Sequence, residues 1–227
     1  EPGGAAKVQF LESAVMVLEA ASEFGKRYAA LARERAEGES DPARKADLLR
    51  VAEVCDWVPA NPARNFYEAV QSCYFAWLLT CWENSLVGGQ SLGRMDQYLY
   101  PYYDDDMKEE RITNEEALEL IDCLLFKVNH GPPVAAISVG GVGPNGHDVT
   151  NPLSYMFIEG MMHTRLRQPY FSVQVHQRMP DALLIKACEL CSLGTGHPEF
   201  INNDVMVSQA LARGSMGGPP VTLADAR

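Results

Sequence analysis

The sequence predicts a helix-rich α/β fold in which a few short parallel strands lie between helices. Amphipathic stretches with helical spacing recur along the 227 residues. Two short apolar stretches, 136–139 and 170–176, have the composition of strands and are separated by a capped helical segment. Strands separated by helices are typical of parallel neighbours. No repeat or low-complexity stretch divides the chain, so we expect residues 1–227 to be part of a single domain.

Three helices are predicted in the first third of the chain. Apolar residues at helical spacing predict one long helix over 7–37. Asp41 is a typical N-cap, and the proline that follows it favours a second helix over 42–55. After the Pro-rich break at 59–62, a third helix over 65–82 is apolar on nearly every side. Such a helix is buried, which indicates a protein larger than a small bundle.

The rest of the chain alternates between helices and strands. Thr113 and Glu116 form a capping-box pattern that begins a helix reaching about Lys127. Asn151 and the proline after it cap a later helix. The predicted order after the first of these helices is a strand at 136–139, a helix at 152–166, a strand at 170–176, and helices at 181–194 and 203–213.

Charge and hydropathy exclude several classes of partner. The formal net charge of −11 argues against binding to nucleic acid or to anionic lipid, whose phosphates would repel it. No apolar stretch approaches the roughly 20 residues that span a bilayer. The first residues carry no secretory signal, and the chain has no initiator Met, so we expect it to begin within a gene.

The six cysteines favour a reducing compartment. They lie among apolar neighbours in helical stretches, as buried, reduced thiols of a cytoplasmic protein do. Cys188 and Cys191 have the CxxC spacing of redox sites, but they fall late in a helical pattern, whereas a redox CxxC begins a helix. We therefore predict that these two cysteines belong to the core.

Two further patterns are interpreted as structural. Gly141, Gly143 and Gly146 match the glycine spacing of dinucleotide-binding loops, but the next helix begins only after Asn151. The residues around Gly146 have turn chemistry instead, and we reject a nucleotide-binding fold. The five histidines make no HxxxH or HxH pair, and no carboxylate cluster has metal-ligand spacing, so we predict no metal site.

Several segments then match a known pattern in order. Pro62–Gln71 (PARNFYEAVQ) is similar to a PARTFWEALQ helix, and Gly93–Tyr103 (GRMDQYLYPYY) is similar to a GRxDQYLYPYY segment. Segments 138–142, 148–155 and 202–204 follow in the same order. These are segments of glycyl radical enzymes, and residues 40 to 227 resemble this pyruvate formate-lyase-like superfamily.

The resemblance implies that the chain is a section of the family's ten-stranded α/β barrel. The helix that begins near Asn65 and the Tyr-rich stretch 98–103 would pack outside the barrel. Glycines 140 and 141 would let the backbone turn at its rim, where a side chain would intrude. Arg94 and Asp96 are expected to anchor this loop through a buried charge pair.

The resemblance also implies radical chemistry in the parent protein. In the family, an activating enzyme that uses S-adenosylmethionine and an iron–sulfur cluster installs a glycyl radical, which takes hydrogen from a cysteine thiol. The resulting thiyl radical attacks the substrate. That cysteine follows an EDAR segment, and the chain ends in the similar segment 223–227. We therefore expect an internal fragment that is inactive alone, with no bound cofactor and no catalytic residue.

The residues ahead of Gly93 face the substrate in relatives, which makes Gly88, Gly89, Gln90 and Ser91 the substrate-pocket candidates. Gly88 stands where hydroxyproline dehydratases carry an acidic residue, which argues against that substrate. Small side chains here would leave room for a bulkier, more hydrophobic one. The stretch 127–137 is shorter than in relatives, through either a deletion or an omitted segment.

The resemblance leaves the reaction open between several radical chemistries. The parent would cleave or form a C–C or C–X bond on a small organic substrate under anaerobic conditions. Formate acetyltransferase, dehydratase, decarboxylase and fumarate-adding synthase activities compete. Its expected partners are the small-molecule substrate, the activating enzyme and further copies of itself in a homo-oligomer. The alternative is a non-catalytic helical scaffold or interaction module that retains the family's helices.

Overall fold

The structure is a computed structural model that describes residues 4–83, 90–131, 135–213 and 222–223. Helices dominate these residues, and short strands lie between them. In chain order the elements are α1 (Gly4–Glu37), α2 (Pro42–Trp57), α3 (Phe66–Glu83), β1 (Ser91–Gly93), α4 (Met95–Tyr98), α5 (Tyr100–Lys108), α6 (Asn114–His130), β2 (Ala136–Gly140), α7 (Pro152–Thr164), β3 (Tyr170–Val175), α8 (Asp181–Ser192), β4 (Glu199–Asn202) and α9 (Asn203–Arg213).

The predicted caps form at the predicted residues. The Asp41 side chain accepts from the backbone N–H of Ala43 at the start of α2. Thr113 and Glu116 form the reciprocal capping box of α6. Asn151 caps α7 through the backbone N–H of Leu153. Because these side chains satisfy backbone donors that no helical carbonyl can reach, they set where each helix begins.

Four short elements were not predicted from the sequence. The strands β1 and β4 hold three and four residues, too few for a periodic pattern to be recognised. The helices α4 and α5 lie in the Tyr- and Asp-rich stretch that was expected only to pack outside the barrel. A proline in the first turn of α5 has a backbone conformation that suits this position.

Contacts divide the chain into two units, the first ending at Leu79. In the first unit, α1 and α2 form a tight antiparallel hairpin. A Cβ atom on Gly25 would lie 2.8 Å from the carbonyl oxygens of both Cys55 and Val58. The buried residues of α1 are Gly25, Ala29, Ala32 and Ala36, so small side chains let the two backbones approach. The membership of residues 1–227 in a single domain stays a prediction.

The second unit contains a four-stranded parallel sheet in the order β1-β2-β3-β4. Strands that follow one another in the chain are neighbours in the sheet, and right-handed crossovers then place every connecting helix on the same face. The side chains of Ile137, Val139, Phe171 and Val173 are at most 1% exposed and form the helix-covered face. The residues that alternate with them lie on the other face, which no helix of the described part of this unit covers. A sheet wound in this way is the wall of an α/β barrel.

The cysteines correct one prediction. Cys55 and Cys81 are buried, but Cys123, Cys188 and Cys191 are exposed, and none of the six, all of which lie in described residues, forms a disulfide. The sheet-facing residues of α8 are Leu183, Ala187 and Leu190. Cys188 and Cys191 each follow a sheet-facing residue, and the helical turn of about 100° per residue rotates them toward solvent. The prediction that these two belong to the core was therefore wrong.

We predict that Gly25→Ala destabilises the folded parent protein by about 2 kcal/mol, because the added methyl group would overlap two backbone carbonyls that cannot move aside. The substitution also improves helix propensity by up to about 1 kcal/mol. The sign of the change in the free energy of unfolding therefore tells whether packing or propensity dominates. Chemical denaturation measures the change. Ser13→Ala on the exposed face of the same helix is the control and should shift stability by less than about 0.5 kcal/mol. A Gly25→Ala variant as stable as the control would contradict the close approach of α1 and α2.

Candidate functional site

The carboxyl edge of the sheet is organised by the buried carboxylate of Asp96. This residue lies in α4, just after β1, and its side chain is fully buried. Its Oδ2 atom accepts from the backbone N–H of Gly140, at 2.7 Å, and from the hydroxyl of Ser154, at 2.6 Å. One carboxylate therefore joins the end of β1 to the end of β2 and to the first turn of α7.

The residues on either side of Asp96 also form hydrogen bonds with the loop that follows β2. Arg94 donates from one terminal nitrogen to the carbonyl of Val142, at 2.9 Å, and Gln97 donates to the carbonyl of Val149, at 3.0 Å. In return, the side-chain amide of Asn151 donates to the backbone carbonyl of Asp96, at 2.9 Å. The loop from 140 to 151 is thus fastened at both ends by the segment 94–97.

The predicted charge pair between Arg94 and Asp96 is replaced by these backbone contacts. No ion pair within 4 Å joins the two side chains, both of which lie in the described part of the chain. Burial raises the pKa of Asp96. The hydrogen bonds from Gly140 and Ser154 and the weaker attraction of Arg94 lower this pKa, but burial has the larger effect. Burial also lowers the pKa of Arg94. Residues two apart at a helix start do not face each other, so each side chain finds its partner on the loop.

The glycine pattern of this loop forms a hairpin rather than the start of a helix. Gly143 donates its backbone N–H to the carbonyl of His147, and Val142 pairs with Asp148 in an antiparallel bridge. Asp148 accepts from the ring of His176 at the end of β3, with 3.0 Å between Oδ1 and Nε2. The hairpin is therefore tied to the next strand as well as to its own.

The uncovered face of the sheet carries polar side chains on β2 and β3. Ser138 of β2 pairs in register with Ser172 of β3, and their hydroxyl oxygens are 2.5 Å apart. Two residues further along each strand, Gly140 lies opposite Gln174. The covered face of the same strands is entirely apolar, so the two faces differ sharply in chemistry. Ala136, Tyr170 and Ile201 also lie on this face, which is therefore mixed, with polar groups at Ser138, Ser172 and Gln174.

Two carboxamides meet over a glycine at the carboxyl end of this face. The Asn203 side chain, 7% exposed, donates from Nδ2 to Oε1 of Gln174, at 3.2 Å. A Cβ atom at position 141 would lie 2.5 Å from Gln174 Oε1 and 2.7 Å from Asn203 Oδ1. Gly141 also has a φ of 91°, which side chains rarely adopt. The expected need for glycine at this rim is thereby explained by contact with the two amides.

The structure describes half of the predicted substrate-pocket residues. Gly88 and Gly89 lie outside the described residues. Gln90 is half-buried and directly precedes β1. Ser91 begins β1, where its hydroxyl donates to the carbonyl of Ala136, at 3.2 Å, and accepts from Gly93. Their role in substrate binding stays a prediction.

Gln174 and Asn203 were missed as site residues. The sequence contains a signal for each: both are amides at the ends of strand-like stretches, and the ends of parallel strands are where ligands bind. Strand β4 was too short to be recognised, however, so the position of Asn203 at a strand end could not be predicted.

A cavity of about 1030 Å³ lies on the other side of the sheet, between α8 and α9. Its lining includes Val175 and Phe200, which alternate with the residues of the uncovered face, together with Leu184 and Cys188 of α8. The cavity is therefore a gap in the helical layer and is separate from the polar face.

Metal-binding clusters and membrane-spanning helices are both absent from the described residues. No group of three or more His, Cys, Asp or Glu side chains in them could hold a metal ion. No described helix combines the length and the apolar character that crossing a membrane requires. Four histidines instead make hydrogen bonds within the fold: His130, His163, His176 and His197.

Comparison with known families decides the family. The model of the pyruvate formate lyase-like family matches residues 1–227. The chain belongs to this family. Isethionate sulfite-lyase of Oleidesulfovibrio alaskensis is 37% identical over 225 residues, which are 92% of the chain and 27% of that relative. The chain thus spans about a quarter of the length of such curated relatives.

Solved structures support the fold as well as the family. A protein of 1,2-propanediol dehydration in Roseburia inulinivorans matches the whole chain with a TM-score of 0.92 and 37% identity, over 28% of that protein. The glycerol-bound B12-independent glycerol dehydratase of Clostridium butyricum also matches the whole chain, with a TM-score of 0.91 and 36% identity over 30% of its length. The resemblance to glycyl radical enzymes and the prediction of a helix-rich section of their α/β barrel are both confirmed.

We predict that Asp96→Ala destabilises the parent protein by roughly 2–4 kcal/mol, because a buried N–H and a buried hydroxyl lose their acceptor. Chemical denaturation measures the loss. Asp47→Asn, at an exposed position of α2, is the control and should change stability by less than about 0.5 kcal/mol.

The contribution of Asp96 to stability should change with pH in one direction. Since folding raises the pKa of Asp96, the protonated carboxyl favours the folded state, and this contribution is lost as the pH rises through the folded pKa. Asp96→Asn cannot titrate. The stability of the unaltered protein relative to Asp96→Asn should therefore decline as the pH rises above about 4. A constant or rising difference would contradict the burial of the charge.

Proposed function

We propose that the parent of this chain is a glycyl radical enzyme that acts as a lyase, removing water or another small group from a small organic substrate. The family match and the enzymes among the relatives support this proposal. The relatives include a sulfite-lyase, a protein of 1,2-propanediol dehydration and a glycerol dehydratase. The observation that carries it is the polar, uncovered face of a sheet whose other face is fully packed.

In this proposal the chain forms part of the barrel wall that encloses the active site, and it supplies no catalytic residue. All six cysteines lie in described helices, and none follows a glycine in a loop. Burial raises the pKa of Cys55 to about 11 and also raises those of Cys81 and Cys123. The hydrogen bonds of Asp96 hold the carboxyl edge of the sheet in place. At this edge, Gly140 and Gly141 leave the space free of side chains.

The substrate pocket is proposed to include Gly88, Gly89, Gln90 and Ser91. Support comes from the position of Ser91 on β1, the first strand of the sheet, where its hydroxyl is fixed by Ala136 and Gly93. Glycines before it would leave space beside the wall, and Gln90 and Ser91 would supply hydrogen-bonding groups.

The remaining requirements follow from the family. The chemistry of the parent would be supplied by a glycyl radical, installed by an activating enzyme that uses S-adenosylmethionine and an iron–sulfur cluster. The parent would also form a homo-oligomer. The residues of this chain would bind the substrate, orient it and shield it from water.

A non-catalytic scaffold is the second candidate function. Such a protein would keep the packed helices but would have no use for a polar wall. The carboxamide pair over Gly141 and the matched serines of β2 and β3 favour the enzyme, because packing needs neither of them.

The proposal is tested by activating the parent protein under anaerobic conditions. We expect electron paramagnetic resonance to detect a glycyl radical after incubation with the activating enzyme and S-adenosylmethionine. We also expect turnover of at least one substrate among 1,2-propanediol, glycerol, isethionate, arylacetates and choline, whereas turnover of fumarate with a hydrocarbon would contradict the lyase reaction. Ser91→Ala should raise the KM for that substrate several-fold while leaving the radical signal unchanged. A correctly folded parent that forms no radical would establish the scaffold instead.

A further inference from the structure

The polar face has a directional hydrogen-bonding arrangement at its carboxyl end. Gln174 is half-buried and lies on the uncovered face, opposite Gly140 and Ile201 of the neighbouring strands. Asn203 donates to its Oε1 atom. The Nε2 atom of Gln174 is neither bonded to a described residue nor among the buried side-chain atoms without a partner, so it remains accessible as a donor.

Asn203 determines which end of the Gln174 amide is presented. Because the Asn203 amide is buried and directs Nδ2 at Gln174, the oxygen of Gln174 is held inward. Both amide oxygens pack on Gly141, where a side chain would displace them. The N–H donors of Gln174 are therefore turned toward the open side of the sheet.

Hydroxyl groups extend this donor site along the face. Ser138 precedes Gly140 by two residues in β2, so both lie on the same side of the sheet as Gln174. Its hydroxyl, paired with that of Ser172, can both donate and accept. A ligand hydroxyl at Gln174 and a second hydroxyl at Ser138 would each find a partner.

The charges on this face select against anions. Among the described strand residues of the uncovered face, the charged side chain is Glu199, which lies opposite Ser172 in the register. A carboxylate or sulfonate placed there would be repelled, and no Lys or Arg of the described strands offsets it. The neutral donors suit an uncharged ligand.

We propose that Gln174, held by the positioning residue Asn203 over Gly141, forms with Ser138 a binding site for the hydroxyl groups of an uncharged polyol substrate. This inference rests on the proposed function, since it assigns the substrate class of that same wall. It replaces the bulky, hydrophobic substrate suggested by the glycines at 88 and 89 with a small, polar one.

The test measures equilibrium binding to the unactivated parent protein by calorimetry, with 1,2-propanediol and glycerol as probes and isethionate as the anionic comparison. We expect these two probes, called the diols because each carries a pair of vicinal hydroxyl groups, to bind more tightly than isethionate. Gln174→Met removes the donor and should weaken diol binding about tenfold, as the loss of one well-placed hydrogen bond does.

Asn203→Asp separates positioning from packing. The new carboxylate has nearly the same shape but cannot donate, so it would turn the Gln174 amide to accept its N–H and present oxygen to the face. We expect about tenfold weaker diol binding by the folded variant, in addition to the loss of stability that a carboxylate at this buried position causes. Gln177→Met, the same substitution at an exposed position three residues away, should bind diols as the unaltered protein does.

Each result decides the matter. Diols that bind as weakly as isethionate, or as tightly to Gln174→Met as to Gln177→Met, would overturn the inference. If Gln174→Met fails to fold, Ser138→Ala provides the second comparison, and unchanged diol binding by this variant would overturn the inference equally. Binding needs no radical, so a parent that binds diols but forms no glycyl radical would contradict only the proposed function.

Discussion

The handedness of the strand connections is the constraint on which the second unit depends. Four parallel strands follow one another across the sheet in chain order, and right-handed crossovers then put their helices on one side. Apolar side chains fill that side, at Ile137, Val139, Phe171 and Val173. The opposite side carries polar residues, among them Ser138, Ser172 and Gln174. A single topological rule thus separates the part of the sheet that provides stability from the part that we propose for binding.

The second constraint is the way in which the carboxyl edge is held. Loops at the ends of strands need fixed partners if they are to present groups accurately. Here the fully buried Asp96 binds the first N–H of the turn after β2 and the hydroxyl of Ser154 in the next helix. Its burial is unfavourable for a charge, and the hydrogen bonds from Gly140 and Ser154 offset part of that cost. The same edge carries Gly141, whose missing side chain makes room for the Gln174 and Asn203 amides.

Much of the fold could be predicted from the sequence, because caps and periodicity are local signals. Asp41, Thr113 and Asn151 each begin a helix as predicted, and β2 and β3 lie within a residue of their expected ends. The strands β1 and β4 could not be found, since three or four residues carry no period and are held by their neighbours. The exposure of Cys188 and Cys191 depends on which side of α8 faces the sheet, and that was misjudged from composition.

The candidate site was harder to predict for the same reason. Family resemblance directed attention to Gly88–Ser91, one segment of the chain. Gln174 and Asn203 are 29 residues apart and meet only when β3 and β4 pair. Arg94 and Asp96 are two residues apart, which suggested an ion pair between them. Each side chain instead forms a hydrogen bond with the loop after β2. Contacts set by strand pairing cannot be deduced from spacing alone.

The central claim is that the uncovered polar face of this sheet lines the substrate cavity of the parent protein. A crystal structure of the parent with glycerol bound tests it most directly. We predict a glycerol oxygen about 3 Å from Gln174 Nε2, with the ligand lying against Ser138. A structure in which that face is packed against apolar side chains, with glycerol bound elsewhere, would contradict the claim.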